Sequence, residues 1–339
     1  MTTPLIGAVN SGPDYHLLDH IAPLAALLKI PLIVTEELNL QLARKYYPHV
    51  QVTYVEDLEF NLNILAKFDA LIECKYWKPH FKSLLQHLHG KSVDLIFCPH
   101  GQSDKGFQAP LLAPYAMQDI VLLYGELLVD MLKQLSIWPL SRTARIGDFR
   151  KLHYEMHQQF YDDLAEKELF SKLPKNRPTL LYAPTWFDAD GSTSFFTGGK
   201  YLLKEFPQEW NLVVKIHPLL KLRQPAEYES IIHQVEKREN FLIIDTFPPV
   251  HPILKKADVY LGDSSSVGFD FLPFHRPMFF FSTKNTGKIH QCGISFTSFK
   301  DLYQKIETNA SFSKKKEDLY RYAFDPVPDL RETINSLLT

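Results

Sequence analysis

Short apolar runs alternate with segments of helical periodicity along most of the chain. The apolar runs show no alternating polar face, so strands formed from them would be covered on both sides of a sheet. Strands that are separated by helices on such a sheet run parallel to one another. The sequence therefore predicts α/β domains with doubly wound parallel sheets. The predicted strands are 5–9, 31–34, 52–55, 70–74, 94–98, 120–124, 179–183, 212–216, 241–244, 259–261 and 277–281.

One interruption of this pattern divides the chain into two series of strands. Residues 151–173 form a charged helical segment that ends in Pro174-Lys175-Asn176-Arg177-Pro178, the clearest linker signal in the sequence. Ligands of doubly wound sheets bind beyond the carboxyl ends of the strands, so we expect the site in a cleft between two domains. The predicted parts are an N-terminal domain at 1–150, a connecting helix and linker at 151–178, a C-terminal domain at 179–325 and a C-terminal helix at 326–339.

Composition excludes several classes of function. The chain has 37 Lys and Arg residues against 39 Asp and Glu, a net charge of −2, which argues against a dedicated nucleic-acid-binding protein. The cysteines, Cys74, Cys98 and Cys292, are too far apart in sequence to predict a disulfide framework or a zinc site. No signal peptide is recognisable, and no apolar stretch reaches the ~20 residues that span a bilayer. We expect a cytoplasmic protein without a transmembrane segment or a dedicated metal site.

The strongest candidate binding segment lies where the strand at 259–261 ends. A helix is predicted to begin at Val267, and its exposed amides and positive end would suit a phosphate group. Asp263 is expected to brace the turn, and Asp270 lies in the first turn of the helix. A serine N-cap, with Asp263 satisfying backbone amides, is the structural alternative. The hydroxyl residues between strand and helix are Ser264, Ser265 and Ser266.

Two other strands end in a histidine. His217 follows the strand at 212–216 and is locked by Pro218, while Lys215 alternates with it and could share its face. This pair would make a basic pocket that holds a phosphate or neutralises a leaving group. His100 follows the strand at 94–98 in a polar loop, where it could take a proton from an attacking hydroxyl. A structural histidine is the alternative at both positions.

A fourth strand, 179–183, ends in a hydroxyl, an aromatic ring and a carboxylate, which belong to Thr185, Trp186 and Asp188. A turn carboxylate and a core tryptophan are the structural alternatives there. Cys98 beside His100 is interpreted as a buried and inert thiol.

Taken together, these segments resemble the CDP-glycerol glycerophosphotransferases, the family of teichoic-acid primases and polymerases. The family's Tyr-Ala-Pro-Thr-Trp-x-Asp, basic-x-His-Pro and Asp-x-Ser-Ser-Val-x-Phe-Asp segments match 182–188, 215–218 and 263–270, in family order. Its Arg-Pro pair before a strand matches 276–277, and the His-Gly of its Trp-His-Gly-Thr segment matches 100–101. The resemblance covers roughly residues 95–281.

The resemblance implies a GT-B fold, which is two Rossmann-like domains facing a cleft. It implies transfer of glycerol phosphate, or a related polyol phosphate, from a CDP-linked donor to an acceptor hydroxyl, with release of CMP. His100 would be the general base, and His217 would contact the donor pyrophosphate. No cofactor would be required, although Mg²⁺ could accompany the nucleotide's phosphates. The residues expected to bind the donor are Lys215, Thr185, Asp263, Ser264, Ser265, Ser266 and Asp270.

Departures from the family pattern leave alternatives open. The loop Gln102-Ser103-Asp104-Lys105 differs from the family's sequence after the histidine, so the acceptor could be a polyol, a glycan or a glycolipid. The serine turn also resembles the Asp-Ser-Gly-Gly turn of UDP-N-acetylglucosamine 2-epimerases, so a GT-B enzyme that uses a UDP-sugar is the alternative. A non-catalytic nucleotide-binding protein is the third reading. Without a basic amphipathic membrane-docking helix, we expect at most peripheral contact with the inner face of the membrane.

Overall fold

A computed structural model of the 339-residue chain gives the fold. The described residues fall into two compact units. The N-terminal unit consists of residues up to Gln102, residues 112–156 and the segment from Tyr322 onward; the C-terminal unit consists of residues 157–321 with Ser103 and Asp104. The structure describes residues 3–104, 112–186, 191, 193–233, 238–281, 286–298, 302–306 and 312–338.

The N-terminal unit is built on a parallel sheet that has seven strands in the described part of the chain. Their order is β3-β2-β1-β4-β5-β6-β7, so the direction of winding reverses between β1 and β4. Such a switch point leaves a crevice at the carboxyl ends of the two strands. The strands are β1 Ile6–Asn10, β2 Leu32–Val34, β3 Val52–Tyr54, β4 Ala70–Glu73, β5 Asp94–Phe97, β6 Ile120–Leu123 and β7 Arg142–Arg145.

The C-terminal unit repeats this topology with six parallel strands among its described residues. The order β10-β9-β8-β11-β12-β13 corresponds to the 3-2-1-4-5-6 order of a Rossmann fold. Its switch point lies between β8 and β11. The strands are β8 Thr179–Ala183, β9 Asn211–Lys215, β10 Phe241–Ile244, β11 Val259–Gly262, β12 Met278–Phe281 and β13 Ile294–Phe296.

Helices connect the strands in the way that parallel pairing requires. They are α1 Leu18–Leu28, α2 Glu37–Tyr46, α3 Leu62–Leu65, α4 His80–His89, α5 Glu126–Gln134, α6 Phe149–Met156, α7 Gln158–Glu168, α8 Lys200–Glu205, α9 Pro218–Arg223, α10 Pro225–Ile232, α11 His251–Lys256, α12 Val267–Phe271, α13 Leu302–Ile306, α14 Ser313–Ala323 and α15 Leu330–Asn335. None of the helices in the described stretches has the length and apolar character that crossing a bilayer requires.

The predicted strands are all present, and most of their apolar runs are buried inside a sheet; β3 and β10 lie at the edges and are more exposed. Every residue of β4, β6 and β8 is buried. Full burial of a Leu, Ile or Val side chain stabilises the fold by about 1.5–3 kcal/mol. Two strands were not predicted, β7 and β13, and both lie at the edge of a sheet. Edge strands are short and only partly covered, so β7 carries arginines where a central strand carries aliphatic residues.

The charged helical segment predicted at 151–173 contains a break between two helices, because α6 ends at Met156 and α7 begins at Gln158. Three arginines near this junction form ion pairs. Arg142 and Arg145, in β7, pair with Asp94 and Glu126 at 2.6 Å each. Arg150, which is buried, pairs with Asp19 at the start of α1.

The chain's C-terminal segment packs on the N-terminal unit. Asp325 donates its amide to the carbonyl of Tyr124, at 2.9 Å, just after β6. Gly147 has a positive φ of +59°, and a Cβ added there would collide with the backbone of Asp325 and Pro326. The close approach of the two backbone segments therefore requires glycine at position 147.

Replacing Gly147 by alanine tests this packing. Alanine at a left-handed position costs roughly 1–2 kcal/mol for the backbone conformation alone. The collision with residues 325–326 adds the cost of an overpacked contact, about 1–3 kcal/mol. We expect Gly147→Ala to lower the free energy of unfolding, measured by urea denaturation, by the sum of the two.

Gly90→Ala is the matched control, since Gly90 also has a positive φ, +61°, but open space around its Cβ position. This variant should show only the conformational cost. Equal losses of stability in the two variants would contradict the close approach of the C-terminal segment.

Candidate functional site

The buried carboxylate of Asp263 organises the switch point of the C-terminal unit. Asp263 follows β11 and is fully buried. One carboxylate oxygen accepts the amide N–H of Thr185 at 2.8 Å, and the other accepts both the amide N–H and the hydroxyl of Ser194, at 2.8 Å each. Because Thr185 follows β8, the carboxylate ties together the loops that follow the two strands at the switch point.

The Ser264–Ser266 turn leads directly into α12, which begins at Val267 as predicted. Ser264 and Ser265 are buried, and Ser266 is half-buried. Ser266 holds the N-cap position of α12, but its hydroxyl makes no capping bond to the helix. The turn therefore does not provide the serine N-cap that was the structural alternative. The Asp263 carboxylate does satisfy backbone amides, but they belong to Thr185 and Ser194.

Two tyrosine hydroxyls lie beneath this turn and stay protonated. Burial raises the pKa of Tyr182 and of Tyr260 well above the usual value of 10, and the nearby charge of Asp263 raises both further. Asp270, buried in α12, adds to the effect on Tyr260. The Tyr182 hydroxyl lies 2.8 Å from the hydroxyl of Ser194 and so completes the network around Asp263.

His217 caps α9 and is held in one tautomer. Its Nδ1 accepts the amide N–H of Leu219 at 3.2 Å. An amide can only donate, so Nδ1 carries a lone pair and the proton of the neutral ring is on Nε2. His217 thus carries an N–H donor at Nε2. Lys215, the last residue of β9, is half-buried and lies two positions before His217 in the sequence.

Trp186 and Arg223 extend this basic cluster. The Arg223 guanidinium lies over the Trp186 ring, 4.4 Å from its centroid, and the rings of Trp186 and His217 are 6.4 Å apart. A guanidinium stacked on an aromatic face keeps its N–H donors available at the ring edge. Trp186 is half-exposed, so it is not the core residue that was the structural alternative. Sequence reasoning missed Arg223, which lies at the far end of α9.

His100, in the N-terminal unit, is held in the opposite tautomer. Its Nδ1 lies 3.3 Å from the carbonyl oxygen of Cys74. A carbonyl can only accept, so Nδ1 carries the proton and Nε2 presents a lone pair. The residue is exposed, but the surrounding protein desolvates the imidazole and lowers its pKa below the usual 6.5. The bond to Cys74 and the charge of Asp14 act in the other direction.

Several polar side chains lie close to His100 or to the backbone beside it. The imidazole rings of His16 and His20 lie 6.5 and 6.4 Å from it. The hydroxyl of Tyr124 donates to the carbonyl of Pro99 at 2.8 Å and accepts the amide of Gly101 at 3.3 Å. These two bonds fix the backbone on both sides of His100. Cys98 is buried, and no disulfide joins it to another described cysteine.

The predicted site residues thus form two groups. Around the switch point of the C-terminal unit the structure brings together Thr185, Asp263, the serine turn and Asp270, with Lys215 and His217 at the end of the adjacent strand β9. His100 belongs to the N-terminal unit. Asp188 and Lys105 lie outside the described residues. Among the residues that are described, no group of three or more His, Cys, Asp or Glu side chains could hold a metal ion.

Comparisons with known proteins point to one family. Residues 154–287 match the model of the CDP-glycerol:poly(glycerophosphate) glycerophosphotransferases. The chain is 27% identical over 170 residues to a teichoic acid glycerol-phosphate primase of Bacillus spizizenii, covering 50% of this chain and 41% of the relative. It is 27% identical over 136 residues to a teichoic acid poly(glycerol phosphate) polymerase of Staphylococcus epidermidis, covering 37% and 17%. The chain therefore spans less than half the length of these relatives.

Solved structures extend the likeness to the whole chain. The wall teichoic acid polymerase TagF, soaked with CDPG, superposes with a TM-score of 0.66 at 16% identity, covering 98% of this chain and 87% of that one. The UDP-GlcNAc 2-epimerase of Neisseria meningitidis bound to UDP-GlcNAc gives 0.61 at 13% identity, covering 98% and 99%. Together with the two parallel sheets, these likenesses confirm the predicted GT-B fold.

Replacing Asp263 by asparagine tests the network at the switch point. One carboxylate oxygen would become an NH₂ group that faces an N–H donor, and at least one buried amide would lose its acceptor. Leaving a buried polar group unsatisfied costs about 1–3 kcal/mol, and more when a charged partner is lost. We expect Asp263→Asn to lower the free energy of unfolding of the C-terminal unit by about 2–4 kcal/mol in urea denaturation.

Ser266→Ala is the control for this variant, since the half-buried hydroxyl makes no capping bond. Its effect should stay within about 0.5 kcal/mol, as is usual for substitutions that remove no buried contact. Stability equal to that of the wild type in Asp263→Asn would show that the carboxylate does not brace the turn.

Proposed function

We propose that this chain transfers glycerol phosphate from CDP-glycerol to an acceptor hydroxyl. The proposal starts from the match of residues 154–287 to the model of the CDP-glycerol:poly(glycerophosphate) glycerophosphotransferases. One observation of the structure supports the proposal most directly. Two histidines that follow strands of the two sheets are fixed in opposite tautomers, His100 with a lone pair on Nε2 and His217 with a proton there. Transfer to a hydroxyl needs one group of each kind.

In the proposed reaction the acceptor oxygen attacks the phosphorus that carries the glycerol. The new P–O bond forms as the bond to the bridging oxygen breaks, and CMP leaves with that oxygen and the bonding electrons. The hydroxyl proton passes to Nε2 of His100. Because its pKa is lowered, His100 is neutral at pH 7 and ready to accept this proton. Base catalysis of this kind contributes about 10²–10⁴-fold in rate.

The C-terminal unit would bind the donor's diphosphate. His217 would donate Nε2–H to a phosphate oxygen, and Lys215 would add a positive charge. The serine turn and the start of α12 would supply hydroxyl and amide donors to the same group. Fixed donors aimed at developing charge are usually the largest single catalytic contribution. Thr185 and the two buried carboxylates, Asp263 and Asp270, would hold this arrangement in place.

The proposal includes no resident cofactor. Mg²⁺ that accompanies the donor would be held through the phosphates of the nucleotide. The proposed acceptor is a compound that carries a hydroxyl group: a polyol, a glycan or a glycolipid. A location in the cytoplasm, or at the inner face of the membrane, stays a prediction.

An enzyme that uses a UDP-sugar is the second candidate. It is favoured by the likeness to the UDP-GlcNAc 2-epimerase, which extends over 99% of that chain. The family match over residues 154–287 favours the phosphotransferase, because it rests on sequence and not on fold alone.

Replacing His100 by alanine tests the proposed base. We expect the rate of CMP release from CDP-glycerol, in the presence of an acceptor, to fall at least about 100-fold. Donor affinity, measured by calorimetry, should stay nearly unchanged, since His100 would act on the acceptor.

His217→Ala provides the contrast. It removes a donor to the diphosphate, so CDP-glycerol should bind at least about 10-fold more weakly, which corresponds to about 1.4 kcal/mol. CMP release by His100→Ala at close to the wild-type rate would exclude His100 as the base. Unchanged donor affinity in His217→Ala would exclude the role proposed for that residue.

A further inference from the structure

We propose that Glu73 is a positioning residue for His100: with Lys75 it clamps the loop after β1 onto the end of β4, where the carbonyl of Cys74 holds the imidazole. The inference rests on the proposed function, in which His100 is the general base. It concerns the N-terminal unit alone.

The clamp holds both sides of a single residue, Ser11. The Glu73 carboxylate accepts the amide N–H of Ser11 at 3.2 Å and also accepts its hydroxyl. The Lys75 ammonium donates to the carbonyl of Ser11 at 2.6 Å and pairs with Asp14 at 2.7 Å. The loop after β1 is therefore fixed to the end of β4 by two side chains of opposite charge.

Between these two side chains lies the group that orients His100. Cys74 is the residue between Glu73 and Lys75, and its carbonyl oxygen accepts Nδ1–H of His100. Movement of residues 73–75 against the loop would move this carbonyl and release the tautomer that leaves Nε2 free. A displacement of about 1 Å at a reacting group can cost as much as 10²-fold in rate.

The clamp and the loop that it holds also place two charges near the imidazole. Asp14 raises the pKa of His100 and Lys75 lowers it, although desolvation has the largest effect. Because Lys75 and Asp14 are held by the clamp, the basicity of His100 depends on the position of this loop. Glu73 thus acts on His100 through the residues that it holds, without contacting the reacting atoms.

A carboxylate at this place is chemically unusual. Glu73 is buried at the end of a central strand, although charged side chains are rarely buried. The uncharged amide of a glutamine could also form hydrogen bonds at this position. Burial raises the pKa of Glu73 to about 7, while the bonds from Ser11 and the charges of Lys75 and Lys78 oppose the rise. Both Ser11 donors meet the same Glu73 oxygen, and hydrogen bonds to an ionised carboxylate are stronger than those to a neutral carboxyl, so the clamp should weaken as the pH falls through about 7.

Other groups around Glu73 also bear on its titration. They come from the loop after β1 and from the segments that follow β4 and β5, and they are Asp14, Cys74, Lys75, Lys78, Cys98 and His100. Burial raises the pKa of the Cys74 thiol well above 9, so it stays neutral near pH 7. The lowered pKa of His100 places its own titration below pH 6.5. Near pH 7 the carboxyl of Glu73 is thus the group whose ionisation changes the clamp.

The test is the pH dependence of CMP release by the full chain with CDP-glycerol and an acceptor. In the wild type we expect kcat/KM to fall as the pH drops through about 7, with a further fall below pH 6.5 from His100. Glu73→Gln keeps the shape of the side chain but cannot ionise. It should lose the fall near pH 7, retain the lower one, and reduce kcat by about 10-fold at pH 8.

Ser11→Ala should shift the profile in a different way. It removes the hydroxyl hydrogen bond, which favours the ionised carboxylate, and keeps the one from the amide, so the pKa of Glu73 should rise and the upper fall should move to higher pH. Asp69→Asn is the matched control. The Asp69 carboxylate also accepts a backbone amide, that of Leu5 at 2.8 Å. However, Asp69 lies just before β4, at the opposite end of the strand from Glu73. Its profile should match that of the wild type.

A second readout does not depend on activity. The imidazole NMR signals of His100, identified by their loss in His100→Gln, should show an inflection near pH 7 in the wild type and in Asp69→Asn. Glu73→Gln should remove that inflection. If the inflection and the kinetic profile are unchanged in Glu73→Gln, the positioning role is wrong. If the wild type releases no CMP with any acceptor but the NMR difference is present, the proposed function fails and the clamp stands.

Discussion

In each sheet a buried carboxylate fixes the loop that follows the first strand. Asp263 directly follows β11 and accepts the amide of Thr185, which lies just beyond β8. Glu73 ends β4 and accepts the amide of Ser11, which lies just beyond β1. In both units the carboxylate lies at the carboxyl end of the strand next to the first strand, where the strand order reverses. Parallel sheets leave backbone amides unpaired at this edge, and one acceptor with two oxygens can hold several of them.

This constraint gives the two units different chemistry from the same topology. In the C-terminal unit the fixed loops end in hydroxyls, a helix start and the N–H of His217, which are all donors to an anion. In the N-terminal unit the fixed loop supports a histidine whose free nitrogen is an acceptor. The tautomer of each histidine follows from what its Nδ1 meets, an amide in one case and a carbonyl in the other. The proposed division between donor binding and base catalysis depends on that difference.

Much of this arrangement was predictable because parallel sheets place function at strand ends. The apolar runs located the central strands, and the polar residues that follow them located His100, His217 and the serine turn. Two of the four edge strands, β7 and β13, escaped prediction; β7 has only one buried residue, and its arginines suggest a surface. The breakdown of 151–173 into α6 and α7 also escaped, because its charged periodicity continues across His157.

The residues that hold the site were not predictable, because their partners are distant in sequence. Ser194 meets Asp263 across 69 positions, and Ser11 meets Glu73 across 62. Glu73 lies inside a predicted strand, where pattern alone assigns it to the sheet and not to a site. Arg223, at the end of α9, meets Trp186 across 37 positions of sequence. Such contacts depend on tertiary structure, and a single sequence carries no periodic signal for them.

The choice of nucleotide tests the proposed function most directly, because it separates the phosphotransferase from the UDP-sugar enzyme. Calorimetry on the purified full chain should compare CDP-glycerol with UDP-N-acetylglucosamine, and CMP and CDP with UDP. A glycerophosphotransferase should bind CDP-glycerol at least about 10-fold more tightly than the UDP-sugar, a difference of about 1.4 kcal/mol. A preference for the UDP ligands, or no binding of CDP-glycerol at all, would contradict the proposed function.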